Sequence, residues 1–264
     1  MAFGLHLNPR LRDWHGKRVW LVGASSGIGA ALAKALLAKG AWVAVSGRRT
    51  DALLAVIESH PKGVVLTMDV RRPDDWKATH DALCEAWEGV DLVVFCAADY
   101  RPLRPWQLDA REAHDTLETN VCGVYYGLSA VLPRMLSRRS GGLAIVASVA
   151  GYVGLPSATL YGPSKAALIN LAELLYAELH AHGLGVYLIN PGFVKSRLTA
   201  RNDFRMPALM TPEGAAEAIV AGLERGRFEI AFPQRFTRLV RLISLLPYRV
   251  SLGLLQRLTR HHES

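Results

Sequence analysis

Seven short apolar runs are spread along the chain, separated by longer segments in which apolar residues recur at helical spacing. The runs occupy residues 18–23, 41–46, 63–68, 91–96, 142–148, 185–190 and 228–232. Their hydrophobicity is nearly continuous rather than alternating, as expected for strands that are covered on both faces. Because strands and helices alternate, the pattern predicts an α/β fold in which a parallel sheet carries helices on both sides.

Length and composition favour one globular body. The 264 residues are 50% hydrophobic and 20% charged, which suits a well-buried domain near the upper size limit of a single core. The beginning of the chain lacks the basic and apolar regions of a signal peptide. No apolar stretch approaches the ~20 residues that cross a bilayer. The sequence therefore predicts a cytoplasmic protein.

Cysteine and histidine usage argues against disulfides and metal ions. Cys84, Cys96 and Cys122 are unevenly spaced and form no CxxC pair, which favours reduced thiols over a disulfide framework or a zinc site. His180 and His182 lie close together, but no third ligand of suitable spacing accompanies them. We therefore predict no metal site.

The net charge of +8 is concentrated near the C-terminal end. Residues 230–260 contain six arginines and neither Asp nor Glu, so this region favours an anionic partner. The arginines stand among leucines rather than among stacking aromatic residues, and no nucleic-acid recognition motif is present. Nucleic-acid binding is therefore not expected.

A glycine-rich stretch, GASSGIG, directly follows the first predicted strand and leads into a helix. Gly23, Gly27 and Gly29 leave room for a pyrophosphate at the backbone N–H groups of the helix start, where the helix dipole favours negative charge. A tight turn without a ligand is the alternative. Because the stretch follows the first strand of an alternating α/β pattern, we predict dinucleotide binding.

The end of the second strand, VSGRR, indicates which dinucleotide is preferred. A carboxylate at this place would bond the ribose hydroxyls of adenosine and repel a 2′-phosphate. Instead, Gly47 is followed by Arg48 and Arg49, whose guanidinium groups match phosphate oxygens in charge and geometry. An ordinary solvated pair of arginines is the alternative. We predict that NADP(H) is preferred over NAD(H).

The stretch YGPSK places Tyr161 four residues before Lys165 at the start of a helical pattern, so both side chains share one helix face. A nearby ammonium group favours phenolate and lowers the pKa of Tyr161 from its usual ~10. The pair could then exchange a proton with an alcohol or carbonyl oxygen. The motif is short enough to arise by chance. Ser148, at the end of the fifth predicted strand, could bond the reacting oxygen at the sheet edge that holds ligands.

Over residues 16–232 the sequence resembles the short-chain dehydrogenase/reductase family, through GASSGIG, ETNVCG, IVAS, YGPSK and NPGFVKS in that order. The resemblance implies a Rossmann-type three-layer sandwich with a seven-stranded parallel sheet. It also implies a catalytic tetrad, with Tyr161 as the acid/base and Ser148 polarising the carbonyl. Lys165 would hold the nicotinamide ribose and tune the tyrosine, and Asn120 would help to organise a proton-relay water.

The same resemblance implies contacts along the whole cofactor. Asp69 and Val70 would contact adenine, and Val194 and Ser196 would recognise the nicotinamide carboxamide. The predicted cofactor-binding residues are Gly23, Ser25, Ser26, Gly27, Ile28, Gly29, Arg48, Arg49, Asp69, Val70, Ala97, Tyr161, Lys165, Pro191, Gly192, Val194 and Ser196.

The resemblance also implies a role for the stretch NPGFVKS. In this family the turn at Pro191 and Gly192 would bring the backbone close to nicotinamide, although a plain tight turn is compatible with the same residues. Residues 195–210 are expected to form a mobile loop that closes over the substrate.

One stretch departs from the family pattern. Phe95-Cys96-Ala97-Ala98 stands where the family usually carries an NNAG-like stretch. Phe95 and Cys96 can pack at a strand end, but the hydrogen bonds of the absent amides must be replaced or lost, and Ala98 adds a methyl group where adenosine passes. These changes bear on cofactor affinity more than on chemistry.

The predicted substrate pocket combines apolar and basic side chains. Its apolar candidates are Gly151, Tyr152, Val153, Leu155, Phe193, Leu198 and Phe204. Its basic candidates are Arg101, Arg104, Arg197 and Arg201. This mixture would accept an apolar carbonyl compound with a polar or anionic end, although any one of these residues could be an ordinary loop residue.

The region after the last predicted strand reads as two basic amphipathic helices. The first apolar stripe is Phe236, Leu239, Val240, Ile243 and Leu246, with Thr237, Arg238, Arg241 and Ser244 facing away. After Pro247, the second stripe is Val250, Leu254, Leu255 and Leu258, with Arg249, Arg257 and Arg260 around it. Contact with an anionic membrane surface, a lid over the pocket and a subunit interface are the three alternatives.

The whole sequence predicts an NADP(H)-dependent oxidoreductase that moves a hydride between nicotinamide and a secondary alcohol/carbonyl substrate, with a lipid-like substrate as one option. A non-catalytic NADP(H)-sensing protein on the same fold is the alternative, since fold alone does not guarantee chemistry. We assign residues 1–232 to a single dinucleotide-binding and catalytic domain and residues 233–264 to a C-terminal extension. The resemblance implies a homodimer or homotetramer that pairs through the helices carrying Asn120 and Tyr161.

Overall fold

The computed structural model describes residues 6–202 and 206–260, the last four of these through their backbone alone. All seven predicted strands are present. They are β1 Arg18–Val22, β2 Trp42–Gly47, β3 Gly63–Thr67, β4 Leu92–Phe95, β5 Gly142–Val146, β6 Gly185–Pro191 and β7 Glu229–Phe232. The strands form one sheet in the order β3-β2-β1-β4-β5-β6-β7, and every neighbouring pair is parallel. The predicted parallel sheet is therefore confirmed.

Helices connect the strands and extend beyond the last one. They are α1 Gly27–Ala38, α2 Thr50–Ile57, α3 Pro73–Trp87, α4 Ala110–Leu117, α5 Gly123–Arg138, α6 Tyr161–Leu179, α7 Pro212–Glu224, α8 Gln234–Ser244 and α9 Tyr248–Arg260. A π-helical turn, Glu118–Cys122, joins α4 to α5. Thr211 caps α7, because its hydroxyl accepts a hydrogen bond of 3.1 Å from the backbone N–H of Gly214.

Two apolar cores lie on opposite faces of the sheet. On one face, α1, α2 and α7 contribute buried side chains such as Leu36, Leu53 and Leu223. On the other, α3, α5 and α6 contribute residues that include Trp76 and Leu171. Burial on both faces explains why the strands read as continuous apolar runs. The predicted three-layer sandwich is confirmed.

The unusual Phe95 belongs to the second of these cores. Its ring centroid lies 5.6 Å from that of Trp76, which itself packs against Trp20 at 5.3 Å. Space for this aromatic group comes from Gly127 on α5, where a Cβ atom would lie 2.5 Å from Phe95 and 2.6 Å from Trp76. The exchange of a polar residue for phenylalanine at the end of β4 is thus accommodated by a missing side chain on the neighbouring helix.

The C-terminal helices differ in part from the predicted stripes. Thr237 was expected to face away from the apolar stripe, but it is 2% exposed, and its hydroxyl donates a hydrogen bond of 3.2 Å to the carbonyl of Pro233. Leu246 of the first stripe is exposed, as is Val250 of the second. The side chains of residues 257–260 lie outside the described residues.

Within residues 6–202 and 206–260, no helix combines the length and the hydrophobicity needed to cross a bilayer.

Candidate active site

The carboxyl ends of the central strands open into one long cavity of about 1810 Å³. Every predicted cofactor-binding residue except Gly29 lines this cavity. Ser148, Tyr161 and Lys165 line it as well, whereas Asn120 does not. The fold therefore brings the glycine-rich turn, the arginines after β2 and three members of the predicted tetrad to a single cleft, at the edge where open α/β sheets bind ligands.

The glycines of this turn are needed for packing within the protein as well as for the access of a ligand to the backbone. Gly23 and Gly27 adopt positive φ angles of 91° and 60°. A Cβ atom on Gly23 would lie 2.3 Å from the backbone nitrogen of Ala97, and one on Gly29 would lie 2.6 Å from the carbonyl oxygen of Gly23. The turn therefore fits tightly between β4 and its own helix, which leaves the backbone at the start of α1 facing the cavity.

Arg48 and Arg49 border the cavity beside this turn. The Arg49 guanidinium donates hydrogen bonds to Ser25, at 3.1 Å to the carbonyl oxygen and 2.9 Å to the hydroxyl. The carboxylate of Asp69 is bound by the guanidinium of Arg71, which holds the pKa of this carboxyl below its usual value. Asp69 thus lines the cleft with its charge already neutralised by an intramolecular partner.

Tyr161 and Lys165 lie on the first turn of α6, as their spacing predicts. Lys165 is 1% exposed. Its ammonium nitrogen donates a hydrogen bond of 2.8 Å to the carbonyl oxygen of Val146 and lies 5.4 Å from the centre of the Tyr161 ring. The two side chains therefore share one buried compartment at the end of β5.

Burial controls the protonation of this pair. It raises the pKa of Tyr161 to about 12, although a hydrogen bond with Ser148 acts in the opposite direction. It also lowers the pKa of Lys165 to about 8. The expected lowering of the tyrosine pKa by the lysine is therefore wrong, because burial disfavours the charged phenolate. Near neutral pH the phenol is a proton donor.

Ser148 lies two residues beyond the end of β5 rather than on the strand itself. It caps a short 3-10 turn, in which its hydroxyl accepts a hydrogen bond of 3.2 Å from the backbone N–H of Ala150. The hydroxyl also donates to the carbonyl oxygen of Pro191 at 3.4 Å. These bonds fix the hydroxyl at the wall of the cavity, near Tyr161.

Asn120 is fully buried in the π-helical turn before α5. Its side-chain oxygen accepts from the backbone N–H of Asp99 at 2.7 Å. Its amide nitrogen donates to the Asp99 carbonyl at 2.9 Å and to the Ser164 hydroxyl at 3.1 Å. The side chain thus ties the segment after β4 to α6. Its role in organising a relay water stays a prediction.

The residues predicted for the substrate pocket line the cavity only in part. Val153, Leu155, Phe193, Leu198, Arg104 and Arg197 are among its lining residues. Four other candidates are engaged elsewhere: Gly151 packs on α6, the Tyr152 hydroxyl donates to Glu229, Arg101 pairs with Glu112 at 3.6 Å and Arg201 pairs with Asp99 at 3.8 Å. Phe204 lies outside the described residues. Residue type alone did not distinguish the loop residues that line the cavity from those that pair with other parts of the chain.

Tyr100 lies closer to the chemistry than the sequence suggested. Its ring centroid is 4.9 Å from that of Tyr161 in an edge-on arrangement, and its hydroxyl donates to the side chain of Asn202 at 2.7 Å. It belongs to a stretch expected to line the pocket, but no motif distinguishes it. The Tyr100 hydroxyl reaches Asn202 because the segment after β4 meets the segment after β6. Local sequence does not reveal such a contact.

Helix α8 forms one wall of the cavity. Its lining residues, together with one from α9, are Phe236, Leu239, Val240, Ile243 and Leu255. The ring of Phe236 lies 5.7 Å from that of Phe193. A Cβ atom on Gly192 would lie 2.9 Å from Phe236, so this glycine allows the helix to approach the turn after β6.

A carboxylate links α8 to the loops of the site. Glu229, at the start of β7, accepts hydrogen bonds from the Tyr152 hydroxyl and from the Asn190 amide, the latter at 2.8 Å. It also forms an ion pair with Arg241 of α8. One half-buried acidic group therefore connects the turn after β5, the end of β6 and the C-terminal helix.

Comparison with known proteins gives concordant matches. A family profile described as short chain dehydrogenase matches residues 17–205. An uncharacterized oxidoreductase of Myxococcus xanthus is 38% identical over 231 residues, which cover 86% of this chain and 91% of that protein. An uncharacterized oxidoreductase of Mycobacterium tuberculosis is 31% identical over 245 residues, covering 89% of this chain and 96% of that one.

Solved structures resemble the chain over most of its length. A short-chain dehydrogenase from Streptomyces avermitilis has a TM-score of 0.78 and 25% identity, covering 94% of this chain and 99% of that one. A short chain dehydrogenase/reductase from Burkholderia phymatum, solved in complex with NAD, has a TM-score of 0.80 and 24% identity, covering 87% and 93% of the two chains. At this identity the second likeness concerns the fold.

Proposed function

The chain belongs to the short-chain dehydrogenase/reductase family of NAD(P)-dependent oxidoreductases, and on that premise we propose that it is an NADP(H)-dependent reductase of carbonyl compounds. The observation that carries the proposal is the group formed by half-buried Tyr161 and buried Lys165 and Ser148 in the same cleft as the glycine-rich turn. In this proposal, Tyr161, Lys165 and Ser148 act together with Asn120 as the catalytic tetrad.

The residues of the cleft fit a dinucleotide. The backbone at the start of α1 faces the cavity beside glycines that keep it bare, and such helix starts bind phosphate. Arg48 and Arg49 would meet a 2′-phosphate, and the turn at Pro191 and Gly192 would border the nicotinamide, with Val194 and Ser196 beside it. When bound, the nicotinamide group supplies or accepts the hydride.

The protonation states support reduction. A Tyr161 phenol with a pKa of about 12 retains its proton near neutral pH and can donate it to a carbonyl oxygen. The Ser148 hydroxyl would donate a hydrogen bond to the same oxygen and so favour the developing negative charge. Lys165, with a pKa of about 8, is mostly protonated at pH ~7 and would stabilise the tyrosinate that remains.

Turnover with a panel of carbonyl compounds tests the proposal. NADPH oxidation is measured with soluble and long-chain carbonyls, for the wild type and for Tyr161→Phe. We expect the variant to bind NADPH as the wild type does and to lose nearly all turnover. Equal turnover of both proteins would remove Tyr161 as the acid/base. Tight NADPH binding without turnover on any carbonyl would instead favour a non-catalytic NADP(H)-sensing protein.

The apolar wall formed by α8 supports a long apolar substrate. Phe236, Val240 and Ile243 line the cavity, and Phe236 packs against Phe193, so a substrate would lie between the proposed catalytic tyrosine and the C-terminal helix. In this proposal the lid alternative and the membrane alternative both apply, because one face of α8 borders the pocket while another faces outward. Carbonyls of increasing chain length should therefore show increasing kcat/KM.

The outer face of the C-terminal helices supports peripheral contact of a cytoplasmic protein with the inner face of a membrane. Leu242, Leu245 and Tyr248 are 61%, 75% and 82% exposed, and the surrounding segment 230–260 holds six arginines and no acidic residue. Such a surface suits an anionic lipid bilayer. Flotation with anionic liposomes tests this contact: equal recovery of full-length and tail-deleted protein in the buoyant fraction would exclude it.

Exposed apolar side chains also support a homodimer or homotetramer. Leu117 on α4, Tyr125 on α5 and Leu174 on α6 are 42%, 52% and 56% exposed, and they lie on the helices through which the family usually pairs. Light scattering measures the state directly. Replacing Tyr125 and Leu174 together by Glu should shift the protein towards the monomer, whereas a monomeric wild type would contradict the proposal.

A further inference from the structure

We propose that Arg197 is a third phosphate-binding residue, which joins Arg48 and Arg49 around a phosphate group of the dinucleotide. The inference rests on the proposed NADP(H) dependence and deepens it. Arg48 and Arg49 directly follow β2, whereas Arg197 lies on the loop after β6. All three border the same cavity. Nothing in their sequence positions relates them, and it is the folded chain that brings them together.

The glycine-rich turn lies between the two arginine-bearing segments. On one side, the Arg49 guanidinium bonds the carbonyl and hydroxyl oxygens of Ser25 at 3.1 and 2.9 Å. On the other side, Ser196 packs on the turn so closely that a Cβ atom on Gly27 would lie 3.3 Å from the Ser196 Cβ. Arg197 is the next residue. A phosphate bound at this turn would therefore have arginines on both sides.

The charges around this place are unbalanced. Partial burial and the neighbouring guanidinium groups of Arg49, Arg201 and Arg48 lower the pKa of Arg197. Arg201 is paired with Asp99. Within residues 6–202 and 206–260, in contrast, neither Arg48, Arg49 nor Arg197 forms an ion pair with a carboxylate. Like charges this close repel one another, and a phosphate with its multiple negative oxygens would relieve that repulsion.

The loop that carries Arg197 also reaches the catalytic end. The backbone carbonyl of Tyr100 accepts a hydrogen bond of 2.7 Å from Arg201, and the Tyr100 hydroxyl donates to Asn202. Tyr100 in turn packs edge-on against Tyr161. A phosphate held by Arg197 would thus fix the segment that positions the aromatic wall of the active site.

Binding of nucleotide fragments tests the proposal without reference to turnover. Calorimetry gives the Kd of 2′,5′-ADP, ADP and AMP for the wild type, Arg197→Ala, Arg197→Lys and Lys195→Ala. Lys195 is exposed on the same loop and does not line the cavity, so its variant is a matched control for the loss of one positive charge. We expect Arg197→Ala to weaken binding by about tenfold to a hundredfold, the range of a charged hydrogen bond, with partial recovery in Arg197→Lys.

The three fragments distinguish the possible outcomes. A loss confined to 2′,5′-ADP assigns Arg197 to the 2′-phosphate, and an equal loss for ADP assigns it to the pyrophosphate; both support the proposal. An Arg197→Ala variant that binds every fragment as Lys195→Ala does would overturn it. A wild type that binds 2′,5′-ADP no more tightly than AMP would contradict the proposed NADP(H) preference, independently of the result for Arg197.

Discussion

The two ends of the cleft use charge in opposite ways. At the end with the proposed catalytic residues, Lys165 is buried and Tyr161 is half-buried. Loss of contact with water raises the pKa of the phenol to about 12 and lowers that of the ammonium to about 8. At the other end, Arg48, Arg49 and Arg197 are exposed, and guanidinium groups stay charged at every physiological pH. The first end should therefore respond to pH and the second to salt, because dissolved ions screen exposed charges much more than buried ones.

Removal of the buried Lys165 charge should have the largest effect. This effect should be confined to the Lys165 end of the cleft. We expect Lys165→Met to lower turnover by ~10²–10⁴-fold, the usual range for acid–base assistance, since the tyrosinate would lose its cationic neighbour. The affinity for 2′,5′-ADP should not change. Steady-state kinetics and calorimetry on the same preparation measure both quantities. A turnover loss of less than tenfold, or a parallel loss of fragment binding, would show that the two ends are not separable.

Removal of the exposed charges should give the converse result. The double variant Arg48→Ala/Arg49→Ala should lower kcat/KM for NADPH by about tenfold to a hundredfold, because charged hydrogen bonds to the 2′-phosphate are lost. The value for NADH should hardly move. Arg72→Ala is a suitable control, since the Arg72 side chain is 71% exposed and does not line the cavity. An equal loss with both cofactors would contradict the preference for NADP(H).

A pH series should separate the ends without any mutation. The pKa of Lys165 is about 8, below its ordinary value of 10.5, so the ammonium loses its proton as the pH rises through about 8. Carbonyl reduction should then fall by about tenfold per pH unit on the alkaline side. Binding of 2′,5′-ADP should stay constant from pH ~7 to ~9, since the arginines keep their charge and the phosphate is already ionised. A rate that stays constant up to pH ~10 would contradict the lowering of the Lys165 pKa by burial.

Most of the fold, and the residues at the centre of the candidate site, could be predicted from local sequence patterns. Strands buried on both faces leave uninterrupted apolar runs, and the proposed catalytic pair on one helix leaves a fixed spacing, so both features are visible without a structure. Such features depend on contacts that are local along the chain.

The features that sequence missed depend on contacts between distant segments. Gly127 is needed because Phe95 enters the core from another element, and Tyr100 meets Tyr161 only where the segment after β4 reaches the start of α6. The predicted direction of the Tyr161 pKa shift was wrong for a related reason. The spacing of the tyrosine and lysine is visible in the sequence, but the burial that raises the tyrosine pKa is a property of the whole fold.

Salt should give the smallest effect and the most direct contrast between the ends. Raising the ionic strength from about 0.05 M to about 0.3 M shortens the screening length to less than ~10 Å, so the KM for NADPH should rise about two- to fivefold through the exposed arginines. The kcat at saturating NADPH should not change, because Lys165 is 1% exposed and its charge is not screened by ions in water. NADH lacks the 2′-phosphate and should show a weaker dependence. If salt changed kcat and left KM for NADPH constant, the assignment of buried charge to chemistry and exposed charge to binding would have to be reversed.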